Sequence, residues 1–239
     1  IGLEDLLEHD AEKIGRYVKT MGEPLGRGLS QRAATEMGLM PGTAVSVSII
    51  DAHAGTLGTL GASGPSGEMA DFDRRVALIG GTSTGHMAIS PQARFIGGVW
   101  GPYYSAVLPG YWLNEGGQSA TGALIDHVIQ SHPCYDTLLA QAKTQGQTIY
   151  EVLNALLRKM AGEPENIAFL TRDIHILPYF HGNRSPRANP TLTGVISGLK
   201  LSRTPEDMAL HYLATIQAIA LGTRHIIETM NQSGYSIDT

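Results

Sequence analysis

Residues 75–90 read RVALIGGTSTGHMAIS. An apolar run, RVALIGG (75–81), enters a small polar turn, TSTG, and HMAIS (86–90) leaves it with strand character. The unit reads as strand–turn–strand. In such a hairpin the Thr82 and Ser83 hydroxyls and the turn N–H groups suit a phosphate. An ordinary Gly-Thr-Ser hairpin turn is the plain alternative. The same letters admit a second chemistry. Gly81-Thr82-Ser83-Thr84-Gly85 satisfies G-x-S-x-G, the nucleophile elbow of serine hydrolases, and Asp173 and His181 follow in the hydrolase order. That elbow needs a helix after the serine, whereas HMAIS is β-like and closes on Pro91.

Upstream, AVSVSIID (44–51) is expected to be a strand that ends in Asp51. Ligands of α/β sheets bind beyond the carboxyl ends of strands. A carboxylate there can take a proton from a substrate hydroxyl. His53 would share its side if the strand continued, so Asp51-x-His53 also reads as a metal pair. The plainer reading is a helix N-cap Asp opening 52–61, and pattern alone favours it. Residues 29–38 predict a short helix capped by Ser30 and ended by Gly38. Residues 2–18 place Leu3, Leu6, Leu7, Ile14 and Val18 near one helical face, and 63–73 predict a polar loop.

Downstream, 95–114 predict further short strands and turns. EGGQSATGALIDHVIQSH (115–132) reads as a glycine-rich loop that runs into a helix. The helix start would offer N–H donors to an anion, or would be capped by Ser119 or Thr121. It lacks the Lys of a P-loop. Residues 134–161 predict helix with a break at 145–148, and 174–180 a strand. FHGNRSPRANP (180–190) reads as a solvated loop carrying Asn183, Arg184 and Arg187. Residues 205–231 predict a long helix with an apolar stripe from Met208 to Ile227. His132, His175, His211 and His225 show no metal spacing and read as structural; no metal site is expected. Strands and helices mix throughout, which predicts an α/β core.

Composition narrows the function classes. With 17 Lys+Arg against 22 Asp+Glu, the net charge is −5, which argues against nucleic acid as partner. Apolar residues make up 42% and charged residues 16%, which excludes a disordered chain. The 29 glycines in 239 residues exceed the usual ~7% and cluster at 55–67, 80–85, 97–101 and 110–122. The single cysteine, Cys134, has no internal disulfide partner. No apolar run reaches the roughly 18 residues of a membrane span. The chain opens on Ile1 rather than Met and reads as a piece of a longer protein. With no leader peptide in view, the expected location is the cytoplasm.

Taken together and in order, GEPLGRGLSQRAATEMGL, PGTAVSVSIIDAHAG, VALIGGTSTGHM, WLNEGGQSATG, LPYFHGNRSP, GVISGLKL and YLATIQAIALGTRHIIE resemble the FGGY carbohydrate kinases, and most closely their ribulokinase-like branch. The resemblance implies the ribonuclease-H-like, actin-type ATPase fold, with residues 1–50 ending a first domain and 51–239 forming most of a second. It implies an ATP-dependent, Mg²⁺-dependent kinase acting on a small sugar, a pentulose of the ribulose or xylulose type. Asp51 would be the catalytic base and contact the sugar. Gly81, Thr82 and Ser83 would form the phosphate hairpin, and Gly122 would lie near the nucleotide. Asp126 falls where some members carry a nucleotide-contacting Gln, and Gln217 where the family signature is acidic. His53, assigned to the sugar site, and the GNRSP loop look like branch markers. A homodimer is the assembly to test for. Two other readings stay open: a serine hydrolase using Ser83, and an actin-fold protein that binds nucleotide or carbohydrate without transfer.

Overall fold

The structure, a computed structural model, describes residues 2–61 and 71–238. Most of the polar loop expected at 63–73 therefore lies outside the described residues.

Four antiparallel strands form the central sheet: β1 (Ala77–Gly80), β2 (Thr84–Ser90), β3 (Trp100–Tyr104) and β4 (Trp112–Gln118), in the order β1-β2-β4-β3. The expected hairpin is β1 and β2, in register from Ala77 opposite Met87 to Gly80 opposite Thr84. β2 is the central strand, paired to β4 along its whole length. Its side chains alternate between two covered faces, as the period of two requires. Met87 and Ile89 join Leu60, Ala77, Val107 and Leu113 on one face. Ala88 joins Ile226 and Met230 on the other. A strand buried on both sides explains why HMAIS is almost continuously apolar.

The first face is covered by α3 (Asp51–Leu60). The second is covered by the C-terminal half of α7 (Pro205–Gln232). At 1.5 Å per residue, α7 spans about 42 Å. Its N-terminal half packs into a separate helical core with α4 (Gly122–Gln130), α5 (Tyr135–Thr144) and α6 (Ile149–Ala161), built on Leu138, Leu153, Leu157 and Met208. The predicted break between α5 and α6 falls where expected. A capping box starts α6: Thr148 Oγ1 accepts from Glu151 N, and Glu151 accepts from Thr148 N. Strands β5 (His175–Leu177) and β6 (Val195–Ser197) form a small antiparallel ribbon, shorter than the strand predicted at 174–180.

Three expectations change. The predicted helix over 2–18 is only a 3-10 turn (Glu4–Leu7) and one α turn, α1 (Glu8–Ala11). Leu3, Leu7, Ile14 and Val18 are exposed; an amphipathic stripe without a surface to bury it contributes little to a short helix. Residues 44–50 are extended but not a strand in the sheet, and Asp51 already opens α3. They pair with 22–25 through Gly22 N to Val47 O, Val47 N to Glu23 O and Leu25 N to Val45 O. Between these segments sits α2 (Gln31–Met37), with Ser30 Oγ accepting from Ala33 N and Gly38 closing the helix at φ 67°, as predicted. Finally, EGGQ (115–118) is strand rather than loop. A Cβ on Gly116 would stand 2.6 Å from Ile226 Cγ2, and one on Gly117 would stand 2.6 Å from Arg184 Nε. The glycines serve close packing on both faces of β4 rather than chain flexibility.

Candidate active site

Asp51 is the first residue of α3, with Ile50 at the N-cap. It is thus neither the end of a strand nor the cap itself. Its Oδ1 accepts from Ala52 N at 2.7 Å, and the carboxylate is exposed. The direction of α3 follows from two contacts. Leu60 O accepts from Arg75 Nη1, and a Cβ on Gly55 would meet Ile79 Cδ1 at 3.3 Å. The helix therefore runs antiparallel to β1. From Gly55 back to Asp51 is about 6 Å of helix, and from Ile79 to Gly81 about 6.6 Å of strand. Asp51 thus lies at the level of the hairpin tip.

His53 does not share that face. Two helical residues on, it is buried, and its Nδ1 is 2.9 Å from the Ala106 carbonyl. Successive odd positions of a helix diverge, so the Asp51–His53 metal pair, which needed a continuing strand, does not form. His53 instead pins the start of α3 to the 105–111 loop. Its placement among the sugar contacts receives no support from this position.

The tip of the hairpin, Gly81–Ser83, is held by the start of α4. Thr121 N and Ala123 N donate to Thr82 O, and Gly122 N donates to Gly81 O at 3.0 Å. Thr121 Oγ1 reaches Gly81 O at 3.3 Å and Thr84 Oγ1 at 2.8 Å. The expected arrangement, free helix N–H groups facing an anion or a Ser119 or Thr121 side-chain cap, is therefore replaced. The hairpin carbonyls cap the helix. This has a geometric consequence. In a trans peptide the C=O and the next N–H point opposite ways. With the Gly81 and Thr82 carbonyls turned onto α4, the Thr82 and Ser83 N–H groups turn outward. A pair of outward main-chain N–H groups flanked by two hydroxyls is an anion cradle.

Gly122 belongs to the same contact. A Cβ there would stand 2.5 Å from Gly81 O, so only glycine lets the helix start and the hairpin touch. Asp126, one turn further along α4, is engaged by the Tyr150 hydroxyl. Burial, then the hydrogen bond to Asp126, pushes Tyr150 up to about 12, so it remains the donor.

The serine-hydrolase reading of the same motif fails here. Ser83 is followed by β2, not by a helix, so the sharp strand-to-helix elbow is absent.

The GNRSP loop, expected to be solvated, docks on β4. Arg184 pairs with Glu115 and stacks over the Trp100 ring at 4.0 Å. Ser185 N donates to Gly117 O, and Asn183 exchanges main-chain bonds with Asn189. Glu115, Trp100 and Arg184 were separate letters in the sequence; only the missing side chain at Gly117 hinted at what lies over it.

Solved sugar kinases share this architecture. The crystal structure of xylulose kinase from Rhodospirillum rubrum superposes with a TM-score of 0.63 over 92% of this chain and 38% of that one, at 24% identity. The fold is the ribonuclease-H-like fold of the actin-type ATPases. The C-terminal domain of the FGGY family of carbohydrate kinases matches residues 76–239, and the chain belongs to that family. An FGGY carbohydrate kinase domain-containing protein of Homo sapiens is 51% identical across the whole of this chain and 44% of its own length. A D-ribulokinase of Saccharomyces cerevisiae is 36% identical across all of this chain and 36% of its own. The chain thus spans less than half the length of the curated relatives it matches. Among the described residues, no helix is long and apolar enough to cross a membrane.

Proposed function

We propose that the protein containing this chain is an ATP-dependent kinase that phosphorylates the terminal hydroxyl of a pentulose of the ribulose or xylulose type. The single observation that carries the reading is the juxtaposition of an exposed carboxylate, Asp51, with the outward N–H groups of the Gly81–Ser83 tip at the same end of α3 and β1. Phosphoryl transfer is mostly positioning and charge stabilisation. Asp51 takes the hydroxyl proton as the sugar oxygen bonds to the γ-phosphorus, and the bond to the bridging oxygen breaks to release ADP. Thr82 and Ser83 hold phosphate oxygens through main-chain N–H and hydroxyl donors. Gly122 acts through the hairpin: it lets α4 fix the direction of those donors. Bound with the nucleotide, Mg²⁺ would supply neutralisation of the phosphate charge. His53 orients the first turn of α3 through Ala106. Asp126, assigned to the nucleotide, has one carboxylate oxygen, Oδ1, already engaged by Tyr150. Residues 1–50 belong to the end of the preceding domain and 51–239 to the catalytic C-terminal domain. The name of the yeast relative favours ribulose as the first sugar to try.

The test is ADP release by the full-length protein with Mg·ATP across D-ribulose, L-ribulose, D-xylulose, L-xylulose and glycerol. Release should depend on one pentulose and fall by about 10²–10⁴ in Asp51→Asn. Activity retained by Asp51→Asn would place the base elsewhere. Nucleotide binding with no sugar-dependent release would leave a non-catalytic actin-fold binder.

A further inference from the structure

The histidines that read as scattered in sequence are not all scattered in space. His132 lies just beyond the C-terminal end of α4, and Asp207 and His211 lie one turn apart in the first turns of α7. One ligand atom from each, both imidazoles and the carboxylate, lies within 4.8 Å of the others. His132 Nε2 is 3.2 Å from Asp207 Oδ2, and His211 Nε2 is 3.9 Å from the same oxygen. The three side chains are 3%, 13% and 13% exposed, so they are held in place rather than solvated. They form part of the wall of a cavity of about 730 Å³ whose rim includes Phe180, Lys200 and Arg203.

We infer that His132, Asp207 and His211 form a binding site for a divalent transition-metal ion of the zinc class. Two imidazoles and one carboxylate are the donor set that such ions take, with coordination positions left open toward a cavity. Around a four-coordinate ion with bonds near 2.0 Å, donor atoms stand about 3.3 Å apart. The His132–Asp207 pair at 3.2 Å already fits; His211, 3.9 Å from Asp207 and within 4.8 Å of His132, has to move inward to complete the set. The outer nitrogen of His132 is already served: Cys134 Sγ is 3.1 Å from Nδ1. In the metal-free protein Nε2–H donates to Asp207, and Cys134 N–H approaches Nδ1 at 3.3 Å. With an ion on Nε2 the ring proton sits on Nδ1 and can donate to Sγ, a weak acceptor in the place of the carboxylate, carbonyl or water that usually orients a metal-bound histidine. Lys200 and Arg203 suit an anion completing the open positions.

This site is not the kinase site. Gly122, which touches the hairpin, opens α4; His132 follows its other end, about 15 Å away along the axis. An ion there would tie the end of α4 to the start of α7, the two helices that brace the hairpin and the sheet.

The experiment is a Zn²⁺ titration of the nucleotide-free, full-length protein, with the retained ion counted after desalting, followed by Co²⁺ substitution and visible absorption. Retained Zn²⁺ and Co²⁺ d–d bands are expected. His211→Ala keeps the His132–Asp207 hydrogen bond and so keeps the helix junction intact. It should weaken Zn²⁺ binding at least about tenfold, as should Asp207→Asn. Cys134→Ser should retain the ion, because the thiol is not a ligand. No retained ion, no Co²⁺ bands, or Zn²⁺ affinity unchanged in both ligand variants overturns the inference. Sugar-dependent ADP release bears on the kinase assignment alone and is read separately.

Discussion

Gly122 and Gly81 meet where no side chain fits. In Gly122→Ala the new Cβ falls 2.5 Å from a backbone oxygen, which cannot swing aside as a flexible side chain would. Relief requires moving the hairpin tip off α4, with loss of the three main-chain bonds that aim it. Overpacking of this kind costs about 1–3 kcal/mol. Gly122→Ala should therefore lower the urea midpoint and also weaken Mg·ATP binding in calorimetry. Normal nucleotide affinity in a destabilised variant would detach the hairpin from the nucleotide. His86 gives a second residue-scale outcome. It is a fully buried residue of β2 itself, with Nε2 bonded to Thr223 Oγ1 of α7 at 2.9 Å. Burial disfavours the imidazolium and lowers its pKa from 6.5 to about 4, against the Thr84 main chain and helped by Arg184. The unfolded chain takes up this proton below pH 6.5 and the folded one resists it to about 4. Stability from His86 is thus complete above about pH 6.5 and is lost as pH falls toward 4, by about 3 kcal/mol. His211, lowered mainly by burial, adds in the same direction. Urea midpoints measured between pH 7 and 4.5 should fall, and less steeply in His86→Gln. An identical slope in that variant would place the acid sensitivity in other groups.

The helix α6 shows what an element owes to its ends. Thr148 and Glu151 close a capping box, and Arg158 and Lys159 sit in the last turn, where cations favour the helix dipole. Its apolar face then supplies Leu153 and Leu157 to the helical core. Thr148→Ala should cost about 1 kcal/mol and lower the melting temperature by a few degrees, while the proposed sugar-dependent ADP release should be unchanged. An unchanged melting temperature would mean that the core alone holds α6. The hairpin and α4 depend on each other more closely. α4 has no side-chain cap at Thr121; its first N–H groups are satisfied by β1–β2 turn carbonyls. A cap was legible in the sequence where a helix caps itself at Ser30, whereas at Thr148 only the break before the helix was legible. Capping was illegible where a remote turn supplies it. The same logic separates the two loops. The 145–148 break is local and was readable. The GNRSP loop looked solvated because the partners that dock it, Trp100 and Glu115, lie 69 or more residues away in the chain.

At the scale of the molecule, α7 joins two cores. Met208 serves the helical bundle, and Ile226 and Met230 serve the sheet. Residues after α7 return to the segment just ahead of β1: Ser236 N donates to Asp73 O, and Arg94, over the Tyr235 ring at 4.4 Å, pairs with Asp73. A ligand that binds only the folded chain stabilises this whole arrangement by mass action, about 2.7 kcal/mol at one hundred times its dissociation constant. Mg·ATP should raise the melting temperature of the full-length protein in a concentration-dependent way. Asp51→Asn should keep that rise, since the role proposed for its carboxylate is toward the sugar hydroxyl and not the nucleotide. Loss of the rise in Asp51→Asn would move Asp51 into the nucleotide site.

Sequence by itself determined the features whose cause is local: the β1–β2 hairpin around TSTG, the short helix between Ser30 and Gly38, the α5–α6 break and the long stripe of α7. Period and capping chemistry act over a few residues, so they can be read in order along the chain. Tertiary structure alone decided the rest. It set Asp51, which the sequence offered as a strand end or as the cap of a helix over 52–61, in the first turn of that helix at the level of the hairpin tip. It turned EGGQ into a strand shaved for Ile226 and Arg184. It placed His132 against Asp207 and His211 across 75 residues of chain. Those outcomes depend on which surfaces meet and how closely, and contact across distant segments leaves no period in the sequence.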